Sequence, residues 1–165
     1  MRSRWENLPV YLCGFSAGGH LACSLGVHWP EFNVPRPNGL ILSYPVISAG
    51  EYAHRGSIEN LAGGRDADYF SLEKHAGKHV PPTFLWATAE DATVPVENTL
   101  MFAYALMKAG VPVEMHIYPF GPHGLSLATA ETQRPENKVY ADPHVATWSD
   151  LCVDWLDMLE RKNIF

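Results

Sequence analysis

Short apolar runs alternate along the chain with longer segments in which apolar residues recur every three or four positions. The four runs have the length and composition of β-strands and occupy residues 10–13, 39–44, 83–87 and 113–118. The run GLILSY at 39–44 is almost continuously apolar, which is typical of a strand covered on both faces. Strands separated by helical segments predict βαβ units, and therefore an α/β fold with a parallel sheet of about four strands flanked by helices.

Three longer segments have helical periodicity and lie at residues 20–29, 96–109 and 144–161. In the first, Leu21, Leu25 and Trp29 recur every four residues, which predicts that they form its buried face. The last segment is amphipathic and places its large apolar residues on one side: Trp148, Leu151, Trp155, Leu156 and Leu159.

A polar, glycine-containing stretch at 48–79 is too long for a simple connection between strands two and three. We expect one or two short helices there, near 57–61 and 71–76. The length of 165 residues then corresponds to a single domain over 1–165 that carries a small insertion at about 48–80.

Composition and charge exclude several classes of function. A hydrophobic fraction of 47% indicates a globular protein, and 12 basic against 18 acidic residues give a net charge of −6 without a basic cluster. Neither nucleic-acid binding nor attachment to a membrane surface is therefore expected. No signal-peptide or membrane-spanning run is found, and the three irregularly spaced cysteines, Cys13, Cys23 and Cys152, indicate free buried thiols in a reducing, cytoplasmic compartment.

The first strand runs directly into Gly14-Phe15-Ser16-Ala17-Gly18, which matches G-x-S-x-G with a strand before it and a helix after it. This context predicts a tight turn that exposes the Ser16 hydroxyl at a helix N-terminus, where developing negative charge is stabilised. The backbone N–H of Ala17 is then the candidate oxyanion donor. Ser16 is the candidate nucleophile.

A nucleophilic serine needs a base and an acid, which follow it in the order acid and then histidine in folds of this kind. After strand three comes AEDATVP, where we favour Asp91 over Glu90 and Glu97 because D-x-x-V-P opens the next helix; a purely capping role for Asp91 is the alternative. After strand four comes Gly-Pro-His123-Gly, and none of the seven other histidines has this position after a strand. All candidates lie at the carboxyl ends of strands, where α/β sites form.

No HExxH motif, His/Cys cluster at ligand spacing, G-x-G-x-x-G or P-loop is found, so neither a metal ion nor a cofactor is expected.

Three stretches, CGFSAGGHLA (13–22), SYPVISAGEYAHRGS (43–57) and residues 81–128, resemble the α/β-hydrolase superfamily. The resemblance is to small bacterial esterases of the acetyl esterase and acetyl xylan esterase type. It implies that Ser16, Asp91 and His123 are nucleophile, acid and base, and that the reaction is hydrolysis of short-chain carboxylic esters. Acetylated sugars or xylan fragments are the implied substrate class.

The resemblance also predicts a truncated, minimal form of the fold. Members of the family have about four strands and a His-Gly-Gly type loop before the elbow, and that loop supplies a second oxyanion amide, for which nothing before Pro9 provides a counterpart. The strand at 10–13 would then be an uncovered edge, which predicts a homo-oligomer that covers it.

Three functions are consistent with this sequence. The leading hypothesis is a serine carboxylesterase that acts on a small ester through an acyl-enzyme, with Phe15, Tyr44 and Tyr52 among the candidates for lining a small acyl pocket. The alternatives are a catalytically impaired hydrolase that serves as an oligomeric binding module, and a peptidase of the prolyl-oligopeptidase kind.

Overall fold

A four-stranded parallel sheet forms the centre of the computed structural model, which describes residues 8–164. Its strands are β1 (Tyr11–Phe15), β2 (Gly39–Ser43), β3 (Thr83–Thr88) and β4 (Val113–Tyr118), and they lie side by side in chain order. Every neighbouring pair is parallel, with Leu12 opposite Leu40 and Leu85 opposite Met115 in the register. The predicted α/β class, with about four parallel strands, is confirmed.

Helices connect and flank these strands. They are α1 (Ala17–His28), α2 (Arg55–Ala62), α3 (Leu72–His75), α4 (Glu97–Lys108), α5 (Pro143–Ala146) and α6 (Trp148–Arg161), with 3₁₀ turns at Ala67–Phe70 and Pro135–Asn137. The stretch between β2 and β3 thus contains α2, the first 3₁₀ turn and α3, close to the short helices that the sequence predicts there. Among the described residues, no helix is long and apolar enough to cross a membrane.

The alternation of side chains along each strand divides the core into two layers. Leu40, Leu42 and Leu85 point to one face of the sheet, where they pack with residues of α1, α3 and α4. On the opposite face, Phe84 and Trp86 pack against α6. The predicted apolar side of the last helix is largely correct, because Trp148, Trp155 and Leu159 are buried in this second layer.

The predicted buried face of α1 is wrong. Leu21 is 74% exposed, and the helix instead packs through small residues that lie about one turn apart: Ala22, Cys23, Gly26 and Val27. A side chain on Gly26 would approach Leu40 to 2.6 Å, so the close contact between α1 and β2 requires a minimal side chain there. The rotation of the helix is therefore determined by how closely it approaches the sheet, not by its largest apolar residues.

The three cysteines do not share one environment. Cys23 and Cys152 are buried, and burial raises the pKa of the Cys152 thiol to about 12, so that it stays protonated. Cys13 is exposed, contrary to the prediction that all three thiols are buried. Its strand, β1, is one of the two edge strands of the described sheet and lacks the cover on both sides that β2 and β3 have.

Candidate active site

The tight turn between β1 and α1 holds Ser16 in a strained backbone conformation. Ser16 has φ 54° and ψ −121°, outside the regions that most non-glycine residues occupy. Gly14 makes this turn possible, because a Cβ atom there would lie 2.2 Å from the Gly18 carbonyl oxygen. A Cβ atom on Gly18 would meet nothing within 4 Å, so the two glycines of the motif are not equally constrained.

Main-chain hydrogen bonds to the end of β2 fix this strained residue. The Ser16 N–H donates to the carbonyl of Ser43 at 3.0 Å, and the Ser16 carbonyl accepts from the Val46 N–H at 3.1 Å. The strain is therefore supported on both sides of the residue, as it must be for a non-glycine residue to persist there. The Ser16 hydroxyl takes no part in these two main-chain hydrogen bonds.

Ser16, His123 and Asp91 lie in one hydrogen-bonded chain. The Ser16 Oγ lies 2.7 Å from His123 Nε2, and His123 Nδ1 lies 2.6 Å from Asp91 Oδ2. Because an ionised carboxylate only accepts, the ring proton sits on Nδ1 and leaves the Nε2 lone pair for the serine hydroxyl. The structure brings together all three residues that the sequence predicts, in the arrangement of a nucleophile, a base and an orienting acid.

The Asp91 carboxylate makes both kinds of contact between which the sequence left a choice. Its Oδ1 accepts from the N–H groups of Thr93 and Val94, each at 2.9 Å, and so closes the turn before α4. Its Oδ2 is thereby directed toward His123. The Asp91 side chain is 1% exposed, against 18% for His123, so the imidazole separates the carboxylate from solvent.

Gly121, two residues before His123, is held by two side chains, one from the last residue of β3 and one from the segment just after it. The Thr88 hydroxyl donates to the Gly121 carbonyl at 2.7 Å, and the Gly121 N–H donates to Glu90 Oε2 at 3.2 Å. Glu90, the rejected candidate for the acid, therefore supports the histidine loop (residues 121–126) from outside. The sequence signal for this supporting role of Glu90 was its position beside Asp91 at the end of a strand.

Three further side chains hold the second half of the histidine loop. Arg134 donates from Nη2 to the Gly124 carbonyl at 2.7 Å. At Ser126, the N–H donates to the Tyr44 hydroxyl at 3.0 Å, and the carbonyl accepts from Trp148 Nε1 at 2.9 Å. Sequence reasoning missed all three contacts, since they depend on tertiary packing between distant segments. Tyr44, a candidate for lining a small acyl pocket, is buried and its ring contacts the imidazole.

Ala17 lies on the other side of Ser16, at the first position of α1. Its N–H has no acceptor within the helix, because the first N–H groups of a helix have no preceding turn. A groove of about 620 Å³ has Ala17 in its lining. Its lining is mainly apolar and includes Leu21, Val46, Ile58, Leu61 and Phe70. Within residues 8–164, no group of three or more His, Cys, Asp or Glu side chains could hold a metal ion.

Comparison with known proteins gives a match that covers most of the chain. A family model described as alpha/beta hydrolase fold matches residues 2–127. An endo-1,4-beta-xylanase B of Butyrivibrio fibrisolvens is 44% identical over 139 residues, which is 76% of this chain and 22% of the relative. An acetylxylan esterase of Xylanibacter ruminicola is 35% identical over 136 residues, again 76% of this chain and 28% of the relative.

Solved structures agree with the fold. An acetyl ester-xyloside bifunctional hydrolase from Caldicellulosiruptor lactoaceticus superimposes with a TM-score of 0.75 at 41% identity, covering 90% of this chain and 56% of the other. A carboxylesterase from Lactobacillus plantarum gives a TM-score of 0.80 at 29% identity, covering 94% and 59%. The chain thus spans less than a third of the length of these curated relatives, and less than two thirds of that of these two solved structures.

Proposed function

The chain belongs to the alpha/beta hydrolase family, and we propose that it is a serine carboxylesterase that hydrolyses short acyl esters of the acetyl type. The observation that carries this proposal is the continuous hydrogen-bonded chain from Ser16 through His123 to Asp91, with distances of 2.7 and 2.6 Å. Relatives named as an acetylxylan esterase and a carboxylesterase support the reaction class.

In this mechanism the serine hydroxyl attacks the ester carbonyl while His123 Nε2 takes its proton. The carbonyl oxygen becomes an anion that accepts a hydrogen bond from the Ala17 N–H at the start of α1. The imidazolium, stabilised by Asp91, then donates its proton to the departing alcohol, and the acyl group remains on Ser16. Water, deprotonated by His123, attacks this acyl-enzyme and releases the carboxylic acid and the free serine.

We propose acetylated plant-polysaccharide fragments as the substrate class. Support comes from the names of two relatives, an acetylxylan esterase and an acetyl ester-xyloside bifunctional hydrolase, which this chain matches at 35% and 41% identity. The competing hypothesis of a catalytically impaired binding module is favoured by one observation. The sequence points to one oxyanion donor, the Ala17 N–H, and the absence of a second donor would cost about 10²–10³ in rate.

Hydrolysis of p-nitrophenyl acetate by the wild type and Ser16→Ala tests the proposal. We expect the variant to lose at least about 10⁴-fold in kcat, since removal of a nucleophile disables the whole relay. Ser149→Ala is the matched control, because its hydroxyl bonds to the Ala146 carbonyl one turn earlier in the chain. Equal release of nitrophenol by the wild type and Ser16→Ala would refute the proposed esterase activity.

A fluorophosphonate probe separates the remaining functions. An esterase should gain one covalent adduct that Ser16→Ala does not form, whereas a binding module should gain none. Release of acetate from acetylated xylo-oligosaccharides then tests the substrate class, and cleavage of a prolyl peptide in its place would favour the peptidase.

A further inference from the structure

We propose that Tyr44 is a positioning residue that fixes the orientation of the His123 imidazole, an inference that rests on the proposed esterase function. Tyr44 directly follows β2, and its phenol ring meets the imidazole edge to face, with ring centroids 4.9 Å apart and planes at 73°. Its hydroxyl accepts the Ser126 N–H at 3.0 Å. One side chain thus contacts both the base and the backbone that follows it.

Strained backbone lies at both ends of the hydrogen bond between Tyr44 and Ser126. Tyr44 has φ 38° and Ser126 has φ 56°, and both lie in the left-handed region that non-glycine residues rarely occupy. Such conformations persist where the surroundings hold them, and they cluster at functional sites. The hydrogen bond joins the two strained positions, so its removal is expected to release the loop that carries His123.

Tyr44 is itself rigidly held. Its ring lies edge-on to the Trp86 ring, with centroids 5.0 Å apart, and its centroid is 6.0 Å from that of Phe15. The Tyr44 N–H donates to the Trp86 carbonyl at 2.6 Å. The side chain is buried, and burial raises the pKa of the Tyr44 hydroxyl, so the phenol stays neutral near pH 7. A neutral, immobile ring can define the plane of the imidazole without taking part in proton transfer.

Tyr118 provides a matched control within the same aromatic cluster. Both tyrosines are 5% exposed, and both lie edge-on to Trp86, Tyr118 at 6.1 Å. The Tyr118 hydroxyl, however, bonds to Thr147 Oγ1 and not to the histidine loop. Tyr44→Phe and Tyr118→Phe therefore each remove one buried hydroxyl from the same core layer, but only the first removes a contact of the loop.

The experiment measures kcat and KM with p-nitrophenyl acetate, the melting temperature, and the far-downfield proton resonance of the His123 Nδ1–H. For Tyr44→Phe we expect kcat to fall by about ten- to a hundredfold with KM changed less than about twofold, because misplacement of a catalytic group affects the chemical step. The Nδ1–H resonance should broaden or disappear. Tyr118→Phe should lower the melting temperature comparably while kcat and the resonance are retained.

Equal kcat for Tyr44→Phe and wild type, or an equal loss in both tyrosine variants, would overturn the proposal. If Tyr44→Phe does not fold, replacement of the Ser126 backbone amide by an ester removes the N–H donor to the Tyr44 hydroxyl and keeps every side chain, and it is expected to lower kcat in the same way; an unchanged kcat would then be the refutation. The resonance requires no turnover, so it reports on Tyr44 even if the wild type proves to hydrolyse no ester.

Discussion

Side chains from five positions hold the loop that carries His123, whereas Ala17, on the other side of Ser16, lines a groove of about 620 Å³. The histidine side lies between β3, β4 and α6 and is closely packed. The elbow side lies on β1, one of the two edge strands of the described sheet, beside a helix whose Leu21 is 74% exposed. The two halves of the candidate site thus differ in how completely the described residues determine them.

This difference separates two kinds of catalytic contribution. The proton relay is defined by contacts within residues 8–164, so changes to it should alter the rate in every state of the protein. Stabilisation of the oxyanion in the proposed mechanism depends on donors near the elbow, where the Ala17 N–H is the proposed donor. Rate effects that originate on the elbow side should therefore depend on what else covers β1 and α1.

After the loss of the nucleophile, the largest effect is expected at the acid of the relay. Asp91→Asn should lower kcat by about 10³–10⁴, because the amide presents an N–H to His123 Nδ1 and favours the wrong tautomer. The amide oxygen can still accept from Thr93 and Val94, so the fold should be retained. Steady-state kinetics and circular dichroism measure the two effects.

Glu97→Gln, at the start of α4, is the control for this variant, since Glu97 competed with Asp91 in the sequence and has the same charge. It should leave kcat within about twofold of wild type. A greater loss in Glu97→Gln than in Asp91→Asn would show that the acid is wrongly identified.

A smaller effect is expected where an exposed side chain holds the histidine loop. Arg134→Gln removes the donor to the Gly124 carbonyl and should lower kcat by about tenfold or less, since a charge-assisted hydrogen bond contributes roughly 1.5–3 kcal/mol and solvent competes for this one. Arg36→Gln is the control. It removes an arginine that likewise bonds backbone carbonyls, those of His79 and Val80, at the opposite end of the sheet. Equal losses in both variants would contradict a specific role of Arg134.

The strands and the grouping of the three candidate residues could be predicted because they depend on local sequence. Each candidate directly follows an apolar run, and parallel strands place their carboxyl ends at one edge, so chain order alone brings Ser16, Asp91 and His123 near one another. The predicted strand at 113–118 coincides with β4, and the other three differ from the observed strands by one or two residues at an end.

The supporting contacts could not be predicted, because they join segments far apart in the chain. Nothing near Tyr44 indicates that its hydroxyl accepts from Ser126, 82 residues later. The exposure of Leu21 was missed for a related reason: periodicity identifies an apolar helix face, but the close approach of Gly26 to Leu40 decides which face is buried.

The sequence predicts that a second copy of the chain covers the elbow side, and the oligomeric state tests this prediction. If a second copy covers β1, light scattering after size exclusion should give at least twice the monomer mass at micromolar concentration. Specific activity should then rise with protein concentration. Val10→Lys places a charge beside this strand, at a side chain that is 56% exposed, and should shift the protein toward monomer. A clean wild-type monomer at micromolar concentration would refute the prediction.

The smallest effect concerns the stability of α1 and involves His20. His20 is 4% exposed, donates from Nε2 to the Phe70 carbonyl, and accepts from the Ser24 hydroxyl at Nδ1. Burial lowers its pKa below the ordinary value of 6.5. As the pH falls through about 6.5, His20 therefore becomes protonated in the unfolded chain but stays neutral in the folded chain. The free energy of unfolding decreases as a result. Above that pH, His20 contributes no pH dependence.

Urea denaturation of wild type and His20→Gln at pH 8, 7, 6 and 5 isolates this contribution, because every other titrating group is common to both proteins. The variant should be less stable at pH 8, where the buried hydrogen bonds of neutral His20 are fully formed. Its stability should then decline less steeply between pH 7 and pH 5, so that the two curves converge. Parallel curves of stability against pH would mean that His20 is protonated equally in the folded and unfolded states, and so would contradict its burial at the start of α1.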